Sequence, residues 1–159
     1  MAHVSFCNAT RKYRFDQIMV LPSQLKSIET TNSHISGMLE VNHYSPRVAM
    51  KVCLALDEAM TNAIEHGNLR GQPNIEVSYS IDGQVCILRV VDFGGHIFNP
   101  EYFEKLAEIK DWGVGGRGIF LIKSLMDEVY FFFQPGESTT VVMIKYNDAA
   151  VPAGENTAP

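Results

Sequence analysis

The apolar positions change period along the chain, and those changes divide it into elements. Tyr13 to Val20 reads as an edge strand, and Pro22 stands at or near the first position of a helix, where a fixed φ and a missing N–H do no harm. Ser23 to about Val41 carries Leu25, Ile28, Ile35, Met38 and Leu39 at mostly helical spacing. A polar break runs from Asn42 to Ser45. Ser45 is then placed to cap a second helix that has Pro46 at its first position. Val52, Leu56, Ala59 and Ala63 mark one face of that helix as far as His66, and Gly67 ends it because a residue without Cβ enters the left-handed region freely.

Beyond Gly67 the period becomes two. Asn74 to Ser80 alternates Ile75, Val77 and Tyr79, Asp82-Gly83 is a hairpin signal, and Gln84 to Val91 supplies the returning strand. After Asp92 come a glycine-rich turn, a short helix from Glu101 to Ile109, a second glycine-rich stretch and a helix from about Arg117 to Met126. Two more strands, Val129 to Gln134 and Thr139 to Tyr146, join across Pro135-Gly136. Helices and antiparallel strands in separate blocks predict an α+β fold, a two-layer sandwich whose mixed, mostly antiparallel sheet carries its helices on one face. A chain of 159 residues suits one core. The domain is expected over 11–147, with an N-terminal extension at 1–10 and a flexible C-terminal tail at 148–159.

Composition narrows the function classes. With 46% apolar and 19% charged residues the chain is globular rather than disordered. A net charge of −5 with scattered Lys and Arg argues against nucleic acid as a direct partner. Cys7, Cys53 and Cys86 are odd in number and widely spaced, as suits reduced thiols in a cytoplasmic protein, and they show no metal spacing. No stretch approaches the roughly 18 apolar residues that a membrane helix needs.

Three clusters carry chemistry. Glu58 and Asn62 are four residues apart on the second helix, so they lie about 40° apart around its axis and flank the apolar arc. A carboxylate there can act as base and an amide oxygen can ligate a hard cation such as magnesium; equally, both can be solvated edge residues. Asp92, in Val90-Val91-Asp92-Phe93-Gly94-Gly95, ends an apolar strand, and an ionised carboxylate accepts hydrogen bonds only, as an exocyclic amine requires; a plain strand terminator is the other reading. Gly113-Val114-Gly115-Gly116-Arg117-Gly118 leads into an apolar helix. Converging backbone N–H groups, a helix N-terminus and the Arg117 fork favour phosphate there, and a flexible loop with a permissive cap is the bland alternative. The formal G-x-G-x-x-G match lacks the preceding buried strand of a dinucleotide fold. Asp92-Phe93-Gly94 lacks the strand lysine and catalytic loop of ordinary protein kinases, and no Gly-Lys-Ser/Thr of a Walker P-loop occurs.

Taken in order, the clusters resemble the histidine-kinase-like ATPase superfamily of gyrase, heat-shock chaperones, histidine kinases and mismatch-repair proteins, and within it the anti-sigma factor serine/threonine kinases. Leu54-Ala55-Leu56-Asp57-Glu58-Ala59-Met60-Thr61-Asn62-Ala63-Ile64-Glu65-His66-Gly67 is similar to that family's N box. Gly115-Gly116-Arg117-Gly118-Ile119-Phe120-Leu121-Ile122-Lys123-Ser124-Leu125-Met126-Asp127-Glu128-Val129 is similar to its second glycine box, and the likeness runs from roughly Tyr13 to Tyr146. The resemblance implies ATP and Mg2+ as ligands, Glu58 as general base, Asn62 as magnesium ligand and Asp92 as the adenine-reading carboxylate. It further implies that Gly94, Gly113, Gly115, Gly116, Arg117 and Gly118 belong to the nucleotide site and that Thr140 backs the adenine pocket. The partners it implies are an anti-sigma factor antagonist, which is phosphorylated, a sigma factor competing for the same protein, and a second copy in a homodimer. His96 departs from the D-x-G-x-G form of the first glycine box. That departure keeps open a catalytically silent, nucleotide-gated binding module. The catalytic domain of a two-component histidine kinase is a weaker match, because His34 and His43 stand outside any dimerising helix pair.

Overall fold

The computed structural model describes residues 13–67, 74–94 and 117–148. Its elements are β1 (Gln17–Pro22), α1 (Leu25–Val41), α2 (Pro46–Gly67), β2 (Asn74–Ile81), β3 (Val85–Asp92), α3 (Arg117–Leu125), β4 (Glu128–Gln134) and β5 (Ser138–Tyr146). The helix expected at Glu101 to Ile109, the extension at 1–10 and nearly all of the expected tail lie outside the described residues.

The five strands form one sheet in the order β1-β2-β3-β5-β4. Every pairing among them is antiparallel, so the sheet is not mixed at the level of neighbouring strands. β2 and β3 form a hairpin in which Asp82 Oδ1 accepts the backbone N–H groups of Gln84 (2.7 Å) and Val85 (2.9 Å). β4 and β5 form another, closed by Glu137 N–H on the Gln134 carbonyl at 3.0 Å with Gly136 at φ 76°. Pro135 followed by a positive-φ glycine is the sequence that a type II turn requires. Between the hairpins the chain crosses through α3, and β5 slots between β3 and β4.

The second helix starts as its sequence predicts: Ser45 Oγ accepts the Val48 N–H at 3.3 Å, and Pro46 is the first helical residue. Val52, Leu56, Ala59 and Ala63 are all buried, and α2 packs on β3, β2 and β5 with α1 and α3 on its flanks. One continuous core of α1, α2, α3 and sheet side chains results.

The start of the chain departs from expectation. Pro22 closes β1 opposite Asn74 instead of opening a helix. β1 is an edge strand, so Pro22 forfeits little by lacking an N–H. The helix begins three residues later, after Gln24 in an extended conformation with no side-chain cap. Its buried stripe is Ser27, Thr31, Ile35 and Leu39, whereas Leu25 is exposed. The two hydroxyls are tolerated there because each finds a carbonyl, Ser27 Oγ on Pro22 O and Thr31 Oγ1 on Ser27 O, both at 2.7 Å.

Candidate functional site

The stretch of α2 that faces the site carries small side chains. Val48, Val52 and Leu56 fill the first half of the interface with the sheet, while Ala59 and Ala63 occupy the corresponding face further on. The space they leave is a cleft lined by Ala59, Asn62 and Ala63 of α2, Val90 and Asp92 of β3, Ile122 of α3, Phe131 of β4, and Thr139 and Val141 of β5. Its wall is apolar apart from Asn62, Asp92 and Thr139, the makeup of a small-molecule site in which a few polar groups set orientation.

Asp92 is the last residue of β3 and is buried. Its Oδ1 accepts the Gly94 N–H at 3.1 Å, which fixes the carboxylate against the turn, and Gly94 is itself buried. Asn62 is half-buried on the opposite wall.

Glu58, one turn before Asn62, stands beside the cleft rather than in its lining, half-buried with its carboxylate against Gly118 in the first turn of α3. Burial pushes its carboxyl above the ordinary range, and the carboxylates of Glu65 and Asp57 push in the same direction. A carboxylate raised in this way is a better proton acceptor than a freely solvated one.

The register of the sheet corrects one sequence expectation. Thr140 pairs with Val91 and is buried on the face away from the helices, whereas Thr139 pairs with Asp92 and lines the cleft. Side chains alternate across a strand, so of two adjacent threonines only one can face the ligand. The sequence alone does not choose between them; the choice follows from which one stands opposite Asp92. Phe131, Ile122 and Val141 were likewise absent from the sequence-based set, because apolar residues in strands and helices carry no mark of a pocket until the elements are packed. Arg117 is the first residue of α3. Gly113, Gly115, Gly116 and His96 lie outside the described residues.

Among the described residues no group of three or more His, Cys, Asp or Glu is arranged to hold a metal, and no helix is long and apolar enough to cross a membrane. Cys53 and Cys86 are free thiols, with burial and then the neighbouring Cys53 pushing Cys86 up to about 12.

An α+β sandwich with an antiparallel sheet, and a cleft between its central helix and the sheet flanked by a helix carboxylate, an amide and a strand-end carboxylate, is the architecture of an ATP-binding domain of the histidine kinase-like class. Residues 21–145 match the histidine kinase-like ATPase domain. The chain belongs to that family, and within it to the anti-sigma factor kinases that include the serine-protein kinases RsbW. The RsbW of Listeria innocua serovar 6a is 30% identical over 135 residues, covering 79% of this chain and 83% of the relative. The Staphylococcus aureus serine-protein kinase RsbW is 36% identical over 104 residues, covering 58% and 62%. Among solved structures, a chain of the SiaB-SiaC complex from Pseudomonas aeruginosa superposes with a TM-score of 0.63 at 13% identity over 89% of this chain and 96% of that one. The RsbU and RsbW domains of Rv1364c from Mycobacterium tuberculosis give 0.60 at 18% identity over 81% of this chain and 31% of theirs. These two likenesses concern the fold.

Proposed function

We propose that this protein is a cytoplasmic, ATP-dependent anti-sigma factor kinase that phosphorylates a serine or threonine of an anti-sigma factor antagonist. The observation that carries the reading is the convergence of Asn62, Asp92 and Thr139 on one cleft, from one helix and two paired strands, with Glu58 one turn from Asn62. In this reading Asp92 accepts the exocyclic amine of adenine, Thr139 backs the base, and Ile122, Phe131 and Val141 exclude water from it. The phosphates lie toward α3, where Arg117, Gly118, Gly113, Gly115 and Gly116 meet them. Asn62 would hold magnesium through its amide oxygen, and the ion would supply charge neutralisation at the transferring group.

Glu58 takes the proton of the acceptor hydroxyl as its oxygen bonds to the γ-phosphorus, and the bridging oxygen leaves with ADP. The relatives named RsbW are serine-protein kinases, and one fold neighbour was solved in complex with SiaC; both support a protein acceptor that docks on the domain. A competing sigma factor and a homodimer complete the partner-switching reading. The position of His96 in the first glycine box favours a second reading, a module that binds ATP and a partner without transfer.

The test begins with thermal unfolding in Mg-ATP, Mg-GTP and EDTA. At 100 times the dissociation constant ATP stabilises the fold by about 2.7 kcal/mol, a rise of roughly 5 to 10 °C for a chain of this size. Asn62→Ala and Asp92→Asn are expected to lose that rise, and EDTA to reduce it. Radiolabelled phosphate is then expected in the antagonist, with Glu58→Ala retaining the thermal shift and losing transfer. ATP binding without any incorporation would select the binding module, and full transfer by Glu58→Ala would remove its role as base.

A further inference from the structure

The carboxylate of Glu58 fills the space where Gly118 has no side chain. A Cβ on Gly118 would lie 2.0 Å from Glu58 Oε1, 2.7 Å from its Cδ and 2.9 Å from its Cγ, all closer than real Cβ atoms approach a neighbour. A Cβ on Gly37 or Gly83 would meet nothing within 4 Å. Backbone conformation does not account for it. Gly118 sits inside α3 and is not among the positive-φ residues, so an alanine would satisfy the helix and, with its higher propensity, improve it. The residue that helix formation would choose fits there only if the Glu58 carboxylate moves aside.

We propose that Gly118 is a positioning residue for the base: its missing side chain is the seat of the Glu58 carboxylate and locks that group between α2 and the first turn of α3. The proposal rests on the reading of Glu58 as base and gives Gly118 a task besides meeting phosphate. Gly118 lies in the first turn of the helix that follows the glycine-rich stretch in the sequence, so in this reading one turn of backbone sets both where phosphate is received and where the proton goes. Local rigidity of this kind is what phosphoryl transfer requires, since positioning supplies most of its catalysis. An added methyl would turn the carboxylate out toward solvent. Burial is the first cause of its raised pKa, so the displaced group would titrate lower.

A double-mutant cycle of Gly118→Ala and Glu58→Ala tests the seat by thermal unfolding, without any need for activity. Gly118→Ala is expected to lower the unfolding midpoint of the otherwise native protein. In the Glu58→Ala background, where the obstructing carboxylate is gone, it should raise the midpoint by a few degrees through helix propensity. Effects of the same sign and size in both backgrounds overturn the proposal. The second arm measures transfer at saturating Mg-ATP: Gly118→Ala is expected to lose transfer at least tenfold and to move the acid limb of its residual pH–rate profile to lower pH. Native transfer rates in Gly118→Ala would also overturn it. Should the native protein transfer no phosphate at all, the kinase reading falls, while the unfolding cycle still decides whether Gly118 seats Glu58.

Discussion

The two adjacent threonines of β5 show how finely a site is set by single residues. Thr139 faces the cleft across from Asp92, and Thr140 lies on the other side of the sheet. Replacing either by valine conserves shape and removes one hydroxyl, so the pair forms an internally controlled experiment. Thr139→Val is expected to cost about 1 kcal/mol of ATP affinity, or roughly fivefold in Kd. Thr140→Val should leave Kd unchanged, and isothermal titration of the two variants reads the difference. Equal losses, or a loss confined to Thr140→Val, would place the adenine on another wall. At this scale residue type and position make Glu58, Asn62 and Asp92 candidates, and the structure brings Asn62 and Asp92 to one cleft with Glu58 beside it. Thr139 escaped it because a one-residue choice between strand faces depends on register, and register is a property of two strands rather than one.

The elements themselves were largely legible, and the exceptions have physical causes. α2 and both hairpins stood out because capping residue, turn residues and apolar period all agree there. α1 is less plain: half of its buried stripe is hydroxyl side chains that satisfy themselves on nearby carbonyls, so hydrophobicity overstates Leu25 and misses Ser27 and Thr31. The junction of α3, β4 and β5 was invisible as well, since it depends on a charge pair distant in sequence. Lys145, nearly buried in β5, donates to Asp127 Oδ1 at 2.7 Å, and Asp127 Oδ2 accepts the Tyr146 N–H at 2.8 Å. Burial alone would raise the Asp127 carboxyl; the Lys145 and Tyr146 hydrogen bonds outweigh it and bring it below the ordinary value of 3.8. Asp127→Ala strands the Lys145 ammonium and is expected to cost about 1 to 2 kcal/mol, allowing for the part exposure of the carboxylate. A lowered folded pKa means that the contribution is complete above the unfolded value and is lost as pH falls through the folded one. Urea titrations should therefore show the gap between native protein and variant wide at pH 7 and narrowing below about 3.8. A gap independent of pH would mean that the loss comes from packing and not from the charge.

Over the whole molecule the two ends of the sandwich are built differently. At the end far from the cleft, Asn147 ties three segments together: its N–H bonds the Gln84 carbonyl at 2.9 Å, and its Nδ2 bonds the carbonyls of Gly83 at 3.1 Å and His43 at 3.4 Å. That end is fastened by the protein's own backbone. At the cleft end the small side chains of Ala59 and Ala63 leave a cleft between α2 and the sheet, with Asn62 and Asp92 on opposite walls. The pairing of β3 with β5 that brings Asp92 opposite Thr139 spans two glycine-rich stretches and α3, which is why strand order could not be deduced from local pattern. A nucleotide entering the cleft would add contacts between its two walls, so its stabilisation should be local before it is global. Hydrogen exchange with and without Mg-ATP reads this directly. Amides at the Asp92 end of β3, at Thr139 to Val141 and in the first turn of α3 are expected to slow beyond the amount set by the rise in overall stability, while those of the Asp82 to Val85 turn slow no more than the whole. Uniform slowing would mean that both ends already open only by complete unfolding, and slowing confined to the Asn147 end would place the ligand outside the cleft.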